Sequence, residues 1–148
     1  MMDHWTKDAF VVIGKAGSTR DGAGVVQRLW AEANDHFAEV ADLAVQPLSV
    51  WGVMSDFDMQ FLPWSENFSQ GAYLAGVECR QDAEAPEGWT KWLVPGFEYA
   101  RMRYQDEQTF AAGLELLKAE GLPLVGAVQE YTDPASGESF LLFPVRRL

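Results

Sequence analysis

The chain has 148 residues, 48% hydrophobic and 22% charged, the composition of a globular domain that buries about two-thirds of its unfolded surface. Its 11 Lys and Arg stand against 22 Asp and Glu, and the net charge of −11 argues against direct nucleic-acid binding while favouring cationic ligands. The nearest approach to a basic patch, Arg101, Arg103, Arg146 and Arg147, is interleaved with acids.

In chain order, Phe10 to Lys15 reads as a short buried strand ended by the turn Gly17-Ser18-Thr19. A helix follows, with Asp21 as its expected N-cap and Leu29, Trp30, Ala33, Phe37, Val40 and Ala41 at helical spacing. Trp30 and Phe37 on that stripe are assigned to the core. After Pro47, the segment Leu48 to Met54 is a second strand. Ser55 to Gly71 is a long loop holding Phe57, Met59, Phe61, Leu62, Trp64 and Phe68, too apolar to face solvent throughout. It is expected to cover part of a cleft. Ala72 to Cys79 is the third strand, ended by the polar turn Gln81 to Gly88.

The pattern then repeats. Trp89 to Val94 leads through Pro95-Gly96 to the alternating strand Phe97 to Tyr104. Asp106 opens a helix with Phe110, Ala111, Leu114 and Leu117 in one stripe, closed by Gly121 and Pro123. Leu124 to Thr132 and Ser139 to Val145 are strands flanking the turn Asp133 to Gly137. The expected fold is therefore α+β: two βαββ units, about 8–80 and 89–148, within one domain spanning 1–148. Pseudo-two-fold symmetry would join them into a curved antiparallel sheet with both helices on one face and a central ligand cleft.

Six Trp, nine Phe and four Tyr make 13% of the chain, enough to line a cavity as well as a core, and Trp is the best cation–π partner. Glu130 lies mid-strand on the face of Val128 and Thr132, where a carboxylate is costly unless a bound cation neutralises it. Glu78, near a strand end, reads as structural. No metal site is expected, because His4 and His36 lack partners at ligand spacing. Cys79 stands alone in an apolar strand and reads as buried and inert, which fits a reducing compartment. Gly14 to Thr19 does not match a phosphate-binding loop. The N-terminus lacks a basic start followed by an apolar run, and no apolar stretch is long enough for a membrane span. A cytoplasmic location is the expectation.

Four segments in this order carry a family resemblance: Tyr73-Leu74-Ala75-Gly76-Val77-Glu78, Val94-Pro95-Gly96-Phe97-Glu98-Tyr99-Ala100, Val128-Gln129-Glu130-Tyr131-Thr132-Asp133-Pro134 and Leu142-Phe143-Pro144-Val145. Together they resemble the GyrI-like small-molecule-binding domain, the effector-binding module of AraC- and MerR-type regulators and of stand-alone integron-cassette proteins. The resemblance covers essentially the whole chain. It implies a glutamate at the floor of an aromatic cleft, here Glu130, with Tyr99 as the matching tyrosine. Trp51, Trp64, Trp92, Tyr104 and Phe68 are the further wall residues expected. The strand Val50 to Met54 departs from the pattern in having no acid or tyrosine. The function implied is a stand-alone binder of hydrophobic, cationic small molecules without cofactor and without a helix-turn-helix module. Two alternatives are a hydrolase of reactive electrophiles, with Glu130 as base and Tyr99 as donor, and a gyrase-inhibitor-like module contacting a protein partner.

Overall fold

A computed structural model describes residues 2–148. Eight strands are present: β1 (Asp3–Lys7), β2 (Phe10–Ser18), β3 (Val50–Ser55), β4 (Ala72–Cys79), β5 (Thr90–Val94), β6 (Phe97–Arg103), β7 (Gln129–Thr132) and β8 (Ser139–Arg147). They form one antiparallel sheet in the order β1-β6-β8-β7-β3-β4-β2-β5. The helices are α1 (Val25–Asp35), the single turn α2 (Ser65–Phe68) and α3 (Thr109–Glu120).

The order of strands is symmetric about the β7–β3 junction. β2, β4 and β3 of the first half answer β6, β8 and β7 of the second, and each half sends its leading strand, β1 or β5, to the far edge of the other. The doubled strand-helix-strand-strand arrangement is thus present with one strand added in front of each unit. β1 escaped the sequence reading because its polar edge residues give it no apolar alternation; only Trp5 points into the core.

Each main helix buries one residue per turn. Val25, Leu29 and Ala33 of α1 pack with Val11, Ile13, Ala75 and Val77 of β2 and β4. Thr109, Gly113 and Leu117 do the same for α3 over β6 and β8. Gly113 sets the depth of that contact, because a Cβ there would overlap the Phe143 ring. A small residue under a large ring draws helix and sheet together.

Three boundaries differ from the sequence expectation. The first helix stops at Asp35, and Phe37–Glu39 and Ala41–Leu43 are 3-10 turns, though Phe37, Val40 and Leu43 still pack into the core. Its N-cap is Gly24 rather than Asp21, whose carboxylate instead caps a preceding 3-10 turn at the Ser18 amide. The strand expected from Leu124 begins only at Gln129, because the Val125 and Ala127 amides bond to Pro144 and Phe61 carbonyls outside the β7 ladder.

The two faces of the sheet serve different purposes. Following paired residues across the sheet, Lys15, Ala75, Gly52, Glu130, Leu141 and Met102 lie in one row on the helix-bearing face. The neighbouring positions Val12, Trp51, Val53, Leu74, Tyr99 and Leu142 point the other way into a second core. That face curls upon itself: Trp5 of edge strand β1 stacks 6.3 Å from Trp51 of the central strand β3. On the helix-bearing face, between α1 and α3, the β3–β7 junction lies open.

Candidate functional site

Glu130 occupies the floor of that opening. Its β7 alternation places Val128 and Thr132 on the same face, and its ladder partner is Gly52 of β3. The hydroxyl of Tyr73, from β4, donates to Glu130 Oε1. The Trp30 indole Nε1–H of α1 donates in turn to the Tyr73 oxygen at 2.9 Å. A chain of three side chains from three elements therefore fixes the carboxylate. Gly52 makes this possible, since a Cβ there would overlap both the Tyr73 hydroxyl and the Glu130 carboxylate.

Burial pushes the Glu130 carboxyl above its ordinary value, and the Tyr73 hydrogen bond opposes that shift in part. Burial and the adjacent Glu130 charge push Tyr73 upward as well, so its hydroxyl stays protonated and available as a donor. No cationic side chain approaches Glu130 within ion-pair distance among the described residues. A half-buried carboxylate with one neutral donor leaves most of its accepting capacity directed at the cleft.

The cleft has two chambers that share Tyr104, Glu130 and Leu141. The one against α1, about 410 Å³, is lined by Trp30, Asn34, Val50, Gly52 and Phe140 among others. The one against α3, about 310 Å³, is lined by Met54, Pro63, Trp64, Phe68, Glu107 and Phe110. No Lys or Arg lines either chamber, and Glu107 adds a second acid. Aromatic faces around an acidic centre attract a cation from both sides, through ring quadrupole and carboxylate together.

The apolar loop 55–71 builds one wall. Asp56 organises its start by accepting from the Gln60 and Leu62 amides, while Ser55 Oγ accepts from the buried Phe61 amide. Burial would raise the Asp56 carboxyl, but these amide bonds outweigh it and hold it below its ordinary value. Glu66, Asn67 and Phe68 have left-handed backbones in α2, and Phe68 meets Phe110 edge-on at 5.2 Å. Trp64 is half-buried and donates to the Ala72 carbonyl at 3.1 Å, which holds the ring against the chamber.

Of the residues expected from sequence, Glu130, Trp64, Phe68 and Tyr104 come together here. Tyr99, Trp51 and Trp92 do not. Tyr99 and Trp51 are fully buried on the opposite face, and Trp92 packs edge-on against Phe61 in that same core. The reason is strand parity: Trp51 pairs with Tyr131 and Gly52 with Glu130, so one step along β3 changes the face. The Tyr99 hydroxyl is buried without a hydrogen-bond partner and cannot serve Glu130 as a donor. Tyr73 holds that position instead. Trp30, expected in the core, does pack against it, and its N–H also joins the site through Tyr73.

The remaining candidates are structural. Glu78 pairs with Lys7 at 3.0 Å, and Lys7 lies 4.6 Å from the Phe10 ring centre. Cys79 is buried, and burial raises its thiol. No cluster of His, Cys, Asp and Glu that could hold a metal occurs among the described residues, and no helix there is long and apolar enough to cross a membrane.

The fold is found in known structures. An integron cassette protein from Vibrio cholerae superposes with a TM-score of 0.61 at 13% identity, covering 98% of this chain and 95% of that one. SAV2435, solved with bound tetraphenylphosphonium, superposes at 0.67 with 11% identity over 99% and 94% of the two chains. The C-terminal domain of EcmrR gives 0.68 at 10% identity over 100% and 98%. The chain shares their fold. At such identities the likeness bears out the GyrI-like resemblance in its architecture. No protein-family profile matches the sequence, and no curated protein does.

Proposed function

We propose that this chain is a GyrI-like effector-binding domain that holds hydrophobic cations in the cleft between α1 and α3. The observation that carries the reading is Glu130: a desolvated carboxylate, fixed by Tyr73 and Trp30, facing aromatic chambers with no cation of the protein's own near it. Ionising such a group in the empty cleft is costly, and an apolar cation offsets that cost without the hydration penalty of a small ion. Trp64, Phe68, Tyr104 and Phe110 supply the stacking surfaces. The bound tetraphenylphosphonium of SAV2435 has this chemistry in the same fold.

Calorimetric titration tests the proposal directly. Tetraphenylphosphonium is expected to bind at least tenfold more tightly than neutral triphenylphosphine oxide, with a change in tryptophan emission from Trp30 and Trp64. Equal affinity for both compounds, or none for the cation, would refute it. Hydrolysis by Glu130 with Tyr99 is not a supported second reading, since the two side chains lie on opposite faces of the sheet.

A further inference from the structure

A third cavity, of about 220 Å³, lies beneath α1 and opens beside the α1-side chamber. Trp30, Asn34 and Val50 line both spaces, so the two adjoin at the helix edge. The rest of the wall includes Ile13, Ala33, Phe37, Val40, Leu48 and Val77, all apolar. Its polar groups are few: the Asn34 amide on the side shared with the cleft, the Trp30 indole N–H, bonded to Tyr73 at 2.9 Å, and the Trp89 indole N–H, bonded to Glu39 at 2.8 Å. Such a space offers water too few partners to hold it well. It is larger than the apolar cavity of about 150 Å³ that accommodates a benzene ring.

We infer that the effector is an amphiphilic cation with one extended apolar arm, its charge at Glu130 and its arm in the chamber beneath α1. The inference rests on the cation-binding reading of the cleft and names the shape of its ligand. Trp30 stands at the junction: its N–H faces the Tyr73–Glu130 chain and its ring walls the side chamber. Tyr73 and Trp30 thus couple the charge site to the arm site. The chamber would take roughly one aryl ring or about six methylenes. A symmetrical cation fills the cleft and leaves this chamber unused.

The test is an alkyltriphenylphosphonium series from methyl to octyl, titrated calorimetrically. In the wild type, affinity is expected to rise about threefold to fourfold per methylene up to hexyl and then level off. Ala33→Phe on α1 and Leu48→Trp before β3 each fill the chamber from a different segment of its lining. Both should bind the methyl compound within about twofold of wild type and lose the rise with arm length. Two variants guard against one failing to fold, and far-ultraviolet dichroism checks each. A flat series in wild type, or an equally steep one in both filled variants, would overturn the inference while leaving the cleft reading intact. Glu130→Gln should lower the whole series by one factor and keep its slope. If no phosphonium binds at all, the cleft reading fails, and the chamber is then read with naphthalene alone. Naphthalene should quench tryptophan emission in wild type and in Glu130→Gln but not in the filled variants; no such difference would overturn the chamber as well.

Discussion

Replacing Glu130 by Gln keeps the shape of the cleft floor and removes its charge. A bulky aryl cation cannot bring its charge centre closer than about 6 Å to the carboxylate. At an effective dielectric constant near 20, two unit charges at that distance attract by about 2.8 kcal/mol, which is about a hundredfold in affinity. Proton competition reduces this at low pH, so the expected loss for tetraphenylphosphonium is tenfold to a few hundredfold at pH 8 and little at pH 4. Triphenylphosphine oxide, held by stacking and area, should change less than threefold. The variant should also be more stable where Glu130 is ionised. The sign follows from the raised carboxyl: its stabilising contribution is complete below the ordinary glutamate pKa and is lost as pH rises through the folded-state value. The melting gain of Glu130→Gln should therefore be absent near pH 4 and grow as pH rises above the ordinary glutamate range. Calorimetric titration with both ligands at two pH values decides the matter. Wild-type affinity for the cation in Glu130→Gln at pH 8 would refute the role assigned to this carboxylate.

Three further substitutions probe the surroundings. Tyr73→Phe removes the hydrogen bond that holds the Glu130 carboxyl down, so the midpoint of the pH dependence of cation binding should move upward, with about 1 kcal/mol lost from stability in urea. Gly52→Ala puts a methyl group into the Tyr73–Glu130 contact; cation binding should fall at least tenfold and stability by about 1–3 kcal/mol, measured by titration and denaturation. Tyr99→Phe deletes an unpaired buried hydroxyl, so stability should hold or rise by up to about 1 kcal/mol and cation affinity should stay the same. A loss of binding in Tyr99→Phe would return that residue to the site.

The legible parts of the sequence were those written in local patterns. The paired helical stripes, the strand alternation around Glu130 and the turn residues at 95–96 and 133–137 follow from side-chain period and backbone preference. The loop 55–71 was legible by composition, because so many aromatic residues cannot all face water. What could not be read was registration between strands distant in sequence. Whether Trp51 or Gly52 faces Glu130 depends on one residue of offset between β3 and β7, and composition is silent on that. Tyr73 was hidden for the same reason: it joins Glu130 only through the β4–β3–β7 order. One signal was available. An isolated glycine in an otherwise apolar strand marks a close approach, and Gly52 was such a residue. Trp30 packs against the core as its place on the amphipathic stripe implies, but its indole N–H also reaches Tyr73 at the edge of the cleft, a second contact that helical spacing does not reveal.

The symmetry of the fold explains why the sheet floor of the cleft has one carboxylate. The turn Lys7-Asp8-Ala9-Phe10 between β1 and β2 matches Val94-Pro95-Gly96-Phe97 between β5 and β6, with Trp5 and Trp92 at equivalent places before them. Lys15 stands as far beyond Phe10 as Met102 stands beyond Phe97. From them run two equivalent rows, Lys15–Ala75–Gly52 and Met102–Leu141–Glu130, which meet at the Gly52–Glu130 pair. The pseudo-two-fold axis therefore passes between a glycine and a glutamate in equivalent positions. Acids at both would face each other in one desolvated site, and one would keep its proton at neutral pH. A side chain of any size at 52 would displace Tyr73. Divergence of the two halves at this single position gives the carboxylate to one and the space it needs to the other. The first half, lacking an acid in β3, contributes instead the two donors that orient the acid of the second.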